Sequence, residues 1–296
     1  MRTGEMTATE LTADPYTRQR LALTLTPPKI PPRVGEALLL QFVSAPVATV
    51  DQAVRPLHLG LRLDRRIPAS SAFTTLRTAT GSVGLIYCEA ADHTAALHTG
   101  GTSPITDPDT ALTAYSSIRF AGPDLQEAIA QGMTTGEVPE WTTDGTHPAP
   151  GAITVTWRTS PTRRRGASDD IIPELALAVD GVVTADRTAD RWLTDTRLPT
   201  IDPVEPAFAG VYLEYARQRP TPLSTAAREQ LEKMNTATEI AHDVDADSTE
   251  SPTQTGGTDT IERLAIASAR LELSDMVTPA HVETAADLYA NMLHVD

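Results

Sequence analysis

Few residues of this chain are typed and spaced for chemistry, and most of those are arginines and carboxylates. Arg65 and Arg66 follow an alternating apolar segment, and Arg163-Arg164-Arg165 is the densest basic run in an acidic chain. A guanidinium takes phosphate or carboxylate by charge and by paired hydrogen bonds. Arg65 and Arg66 could therefore form an anion patch. Arg163–Arg165 reads either as a contact for DNA phosphate or an acidic partner, or as a solvated loop tip balancing Asp169 and Asp170. Asp243, Asp245 and Asp247 have the alternate spacing of a calcium loop. The sixth residue is Ser248 instead of Gly and the twelfth is Gln254 instead of Glu, so an acidic linker fits better. His58, His93 and His98 have no metal spacing with nearby carboxylates. Cys88 is the sole cysteine, which excludes an internal disulfide and a cysteine zinc cluster. Its place in the apolar run Val83–Cys88 predicts a buried strand residue, with a catalytic thiol as the alternative. No Gly-x-Ser-x-Gly elbow supports a hydrolase, and no Gly-Lys-Ser or Gly-Lys-Thr occurs.

The elements that would position these residues follow from hydrophobic period. Leu57, Leu59, Leu61 and Leu63 alternate with His58, Gly60 and Arg62, the period-two pattern of a strand. Further strands are expected at Val83–Cys88, Ile153–Trp157 and Val182–Val183. Asp14-Pro15 reads as a helix opening, Val34 to Phe42 as a buried helix, and Pro123 as the start of another. Strands alternating with helices argue an α/β sheet. Beyond about residue 203 only helices are expected, with Ser224 capping one and Thr278-Pro279 opening the last. The stretch from His242 to Asp259 is acidic and poor in apolar residues, so it reads as a flexible linker.

The 296 residues suffice for one large domain or two modest ones. Net charge is −15, and only Lys29 and Lys233 are lysines. Acidic excess, scarce lysine and abundant threonine resemble proteins of salt-loving microbes. Such a surface repels DNA phosphate in dilute buffer, but in molar salt the Debye length falls to about 3 Å. Net charge therefore leaves a nucleic-acid partner open. No run of eighteen apolar residues predicts a membrane span, and Met1–Asp14 lacks the apolar stretch of a signal peptide. A cytoplasmic protein is expected.

Five segments carry a resemblance. IERLAIASARLELSDMVTPAHVETAADL, near the C-terminus, resembles the helical lid of the minichromosome maintenance (MCM) helicases, and YARQRPTPLSTAAREQLEKM resembles the lid helices before it. ELTADPYTRQRLALTLTPPKIPPRVGEALLLQF resembles the family's lead-in to its ATPase core. DLQEAIAQGM is similar to the helix after its acidic metal motif, and ITVTWRTSP to the strand ending in a sensing Asn-Pro. The matches occur in the family's order. The resemblance implies an AAA+ P-loop-type three-layer α/β core over residues 1–205, with an all-helical lid over 206–296 and a flexible acidic linker at 242–259. Because the match begins almost at Met1, the family's N-terminal DNA-binding domain is expected to be missing.

The resemblance also says where the family's chemistry should lie. Asp64 and Ser70 fit its phosphate-binding turn, while Arg65 and Arg66 stand near the glycines and Ala69 at the lysine. No carboxylate lies between Thr110 and Pro123, where the magnesium-binding pair is due. Ser160 replaces the sensing Asn, Ala178 the finger arginine beside a retained Asp180, and Gly256 falls near the lid's sensor arginine. The hairpin that reaches DNA in the family corresponds to EVPEWTTDGTHPAPG, which has no Lys or Arg. The expectation is a chain that is no enzyme and holds no cofactor or metal. It would be a catalytically inactive subunit or regulator that contacts an active MCM-type helicase or self-associates. The alternative is a DNA-associated replication or plasmid-maintenance factor that binds through its arginine patches.

Overall fold

The computed structural model describes residues 7–27, 30–45, 55–64, 66–89, 104–107, 109–139, 145–158, 171–185, 193, 201–244 and 257–293. Three helices come first: α1 (Ala8–Thr12), α2 (Thr17–Leu25) and α3 (Pro32–Ser44). Then β1 (Leu59–Leu63), α4 (Ala69–Gly84), β2 (Leu85–Glu89), β3 (Leu112–Ser116) and α5 (Pro123–Thr135) follow in order. After these come β4 (Glu137–Pro139), β5 (Thr146–Pro148), β6 (Ala152–Arg158), α6 (Pro173–Ala178) and β7 (Gly181–Ala185). Four helices close the chain: α7 (Pro206–Arg217), α8 (Thr225–Val244), α9 (Gly257–Leu271) and α10 (Pro279–Leu293).

Five strands form one sheet in the order β2-β3-β6-β1-β7, and every neighbouring pair is parallel. β4 and β5 make a separate antiparallel hairpin. Leu59, Leu61 and Leu63 face a core shared with α2, α3, α4 and the C-terminal helices. Tyr115, Ile153 and Val155 face a second core built with α5 and α6. Helices on both faces of one sheet make the three layers. Alternation along β1 therefore set its face correctly, and Gly60 points the other way, against the Trp157 ring.

Several boundaries differ from expectation. Asp14-Pro15 does not open α2: the Asp14 carboxylate accepts from the Tyr16 amide at 2.8 Å and pairs with Arg20, so the helix starts at Thr17. Cys88 is half-buried on the outer strand β2, and burial pushes its thiol up to about 11. The Ser224 hydroxyl accepts from the Ala227 amide at 3.2 Å, as a cap should. α8 runs on to Val244 and α9 begins at Gly257, so helix enters both ends of the expected linker. Residues 245–256 lie outside the described residues.

Two packing details set stability. An ideal Cβ on Gly210 would stand 1.9 Å from the Ala79 carbonyl oxygen, so α7 lies backbone to backbone on α4. His58 is buried, and its Nδ1 accepts from the Ile153 amide at 3.1 Å, leaving the ring proton on Nε2. Burial first, then the Arg263 and Arg55 charges, push its pKa down to about 3. Below about pH 6.5 the unfolded chain takes up a proton that the folded chain refuses until about pH 3. The stability that His58 lends is thus complete above that window and is lost as pH falls through it, at ~1.4 kcal/mol per unit. A His58→Gln variant should lose stability less steeply than wild type from pH 6.5 toward 3 in urea melts. Equal slopes would refute the assignment. Gly210→Ala should cost about 1–3 kcal/mol by overpacking, and an unchanged denaturation midpoint would contradict that contact.

Candidate functional site

In a parallel sheet all strands deliver their carboxyl ends to one edge, where ligands of open α/β folds bind. Here that edge holds the turn after β1, the start of α4 and the ends of β2 and β3. The turn is closed on itself. The Asp64 amide donates to the Ala185 carbonyl at 3.0 Å, and the Ile67 amide to the Asp64 carbonyl at 2.9 Å. The Arg66 amide donates to the Asp64 side chain at 2.8 Å. Pro68 has no amide hydrogen. A phosphate cradle needs such amides turned toward the ligand. In this turn, three of them are already bonded to protein oxygens.

Next to the turn is a carboxylate that no motif indicated. Glu89 ends β2 and pairs in register with Ser116 at the end of β3. The Ser116 hydroxyl donates to Glu89 Oε2, and the Tyr87 hydroxyl to Oε1 at 2.8 Å. Burial pushes the Tyr87 hydroxyl up to about 12; the Glu89 carboxylate adds to the shift, while the Ser116 and Ser70 hydroxyls oppose it. Tyr87 therefore stays a donor at neutral pH. The Phe73 and Tyr87 rings lie 5.8 Å apart. A groove of about 350 Å³ runs between Ser70, Phe73, Thr74, Arg77, Thr78 and Tyr87. One carboxylate and three hydroxyls thus meet at this edge. Among the described residues, no group of three or more His, Cys, Asp or Glu side chains could hold a metal.

A nucleotide with its metal fits this edge only in part. Ser70 could offer a hydroxyl and Glu89 a carboxylate, but the Asp64, Arg66 and Ile67 amides are already bonded and the turn has no lysine. The carboxylate comes from the neighbouring strand, not from the end of β3 where sequence order placed it. A Glu at the end of the apolar run LIYCE was the available signal, and only strand register shows that it meets Ser116.

The other expected positions scatter. Arg66 is exposed in the turn; Arg65 and Arg163–Arg165 lie outside the described residues, as do Ser160 and Gly256. The described strands of the hairpin are joined by a hydrogen bond from Thr146 to Glu137, at 3.0 Å. Asp180 lies just before β7, at the opposite edge of the sheet, and Ala178 ends α6. Asp245 and Asp247 fall outside the described residues, and Asp243 lies in the last turn of α8.

Residues 209–293 match the family model of the MCM AAA-lid domain. Among solved structures, the chain is similar to a full-length MCM homolog from Methanopyrus kandleri, with a TM-score of 0.67 at 20% sequence identity. The alignment covers 96% of this chain and 61% of that one. No curated protein matches the sequence significantly. These findings correct the expectation that the chain is no enzyme, because the family it matches is one of helicase ATPases. That expectation rested on motifs read in sequence order. Among the described residues a carboxylate, Glu89, and a hydroxyl, Ser116, meet at the carboxyl edge of the sheet by a route that sequence order did not indicate. The sheet of five parallel strands and the C-terminal helices thus have the fold of an MCM homolog, and residues 209–293 carry the sequence match to the MCM AAA-lid domain.

Proposed function

We propose that this chain is a subunit or regulator of an MCM-type DNA replication helicase and works through protein–protein contacts, self-association included. The observation that carries the reading is the lid docked on an AAA+-type core, with large apolar side chains exposed on both. Phe120 and Leu177 are exposed on the core, Val211 and Tyr215 on α7, and Met276 between α9 and α10. Val211 and Tyr215 lie one turn apart on α7, and Val211 is 72% exposed. Exposed apolar side chains mark contact surfaces where they adjoin, and Val211 with Tyr215 on α7 is such a place. We take residues 1–205 as the core and 206–296 as the lid, in a cytoplasmic protein. No helix among the described residues is long and apolar enough to cross a membrane.

The DNA-associated reading has less support. The described hairpin strands carry no Lys or Arg, which counts against it. If that reading holds, binding to duplex DNA should fall steeply with salt, and no detectable binding at low salt would remove it.

Size exclusion with light scattering, in molar salt, tests the leading reading. The chain is run alone and mixed with the active MCM protein of the same cell. Co-elution, or a multiple of the 31.7 kDa chain mass for the chain alone, is the expected result. A monomer under both conditions would overturn the proposal.

A further inference from the structure

Two arginines on one helix, Arg270 buried and Arg263 part-buried, fasten the C-terminal helices to the sheet. Arg263 and Arg270 lie seven residues apart on α9, two turns along one face. Arg270 is 2% exposed, and its Nη1 donates to the Val43 and Ser44 carbonyls at 2.8 and 3.0 Å. Those carbonyls end α3, where a helix leaves oxygens unpaired and its dipole favours a cation. This attachment is to backbone, and it lasts as long as α3 does.

Arg263 is attached differently. Its Nη1 lies 2.9 and 3.0 Å from the two oxygens of Asp180 and also reaches the Pro56 carbonyl at 3.4 Å. The Asp180 side chain is 6% exposed. It accepts from the Thr260 hydroxyl at 2.9 Å and from the His58 amide at 2.7 Å. The Asp180 amide in turn donates to the His58 carbonyl at 2.8 Å. One carboxylate therefore ties the lead-in to β1, the lead-in to β7 and two side chains of α9. A buried ion pair of this kind holds by geometry, and losing one partner strands the other. Its anchor is a side chain between α6 and β7, not the end of a long helix.

We infer that Asp180 is a latch for the lid: releasing its bonds to Arg263 and Thr260 frees α9 and α10 from the sheet, while Arg270 keeps them attached as a pivot. The inference does not depend on the helicase reading, since it concerns only how the two parts of this chain are joined. Opening of this kind is a sub-global event, with its own free energy below that of complete unfolding.

Hydrogen exchange on the full chain tests it. Asp180→Asn should speed exchange of α9 and α10 amides by about tenfold or more while leaving β3 and β6 amides unchanged. Arg263→Gln should do the same, and the double variant should do no more than either alone. Thr260→Val, which removes one hydroxyl, should give a smaller rise confined to the same helices. Arg270→Met should instead speed both lid and sheet. Equal acceleration of β3 and β6 in Asp180→Asn, additive effects in the double variant, or an unchanged lid in Thr260→Val would overturn the latch. An Asp180→Asn chain that no longer folds would also overturn it, because Asp180 would then belong to the common core.

Discussion

A helix buried on every face cannot give its last carbonyls to water. α3 is in that position: every residue from Val34 to Ser44 is buried, and its end lies between the sheet and the C-terminal helices. Its orphaned groups are satisfied by what surrounds it. The Ser44 hydroxyl donates to the Gln41 carbonyl at 2.7 Å and accepts from the Leu57 amide at 2.8 Å, which fixes the entry into β1. The Gln41 carboxamide donates to the Ile153 carbonyl at 2.8 Å and accepts from the Thr154 hydroxyl, which holds β6. Arg270 takes the carbonyls of Val43 and Ser44. Sheet register, strand entry and lid position all converge on the last turn of one helix.

The N-terminal half of α3 carries the opposite burden. Glu36 is fully buried, and burial raises its pKa against the pull of Arg18, which lies 2.9 Å away. The Leu193 amide donates to it at 3.0 Å. An ion pair out of water contributes less by its strength than by its cost when broken. α2 and the segment at Leu193 are thereby held in one arrangement on α3. The apolar residues Val34, Ala37 and Leu38 supply the stabilisation, and Glu36 and Gln41 supply the registration.

Much of this fold was legible in the sequence where hydrophobic period is clear, as in β1, β6, α3 and α5. β3 was not, because a strand covered on both faces shows no alternation: Leu112, Thr113, Ala114, Tyr115 and Ser116 are all buried. α4 was hidden by its run of Ser and Thr, which are weak helix formers. Family order along the chain identified the lid, whose sequence matches are local. The site resisted for a different reason. Glu89 and Ser116 are far apart in sequence and are joined only by the β2–β3 register. Asp180 was legible as a retained residue, but its partners Thr260 and Arg263 come from beyond an acidic stretch that separates them in the chain.

The bare backbone contact at Gly210 has a mechanical consequence. α4 begins at the closed turn after β1 and is clamped near its other end, where the Ala79 carbonyl meets Gly210 of α7. Two residues beyond the clamp, Gly81 departs from helical geometry with φ of 76°, a left-handed value that costs glycine little. The helix is thus a strut with a rigid grip and a joint beside it. A push on the turn cannot be absorbed by side chains at the clamp, since none lies between the two backbones. Backbone contact there couples α4 to α7 more stiffly than side-chain packing would, and the break at Gly81 stands between that contact and β2.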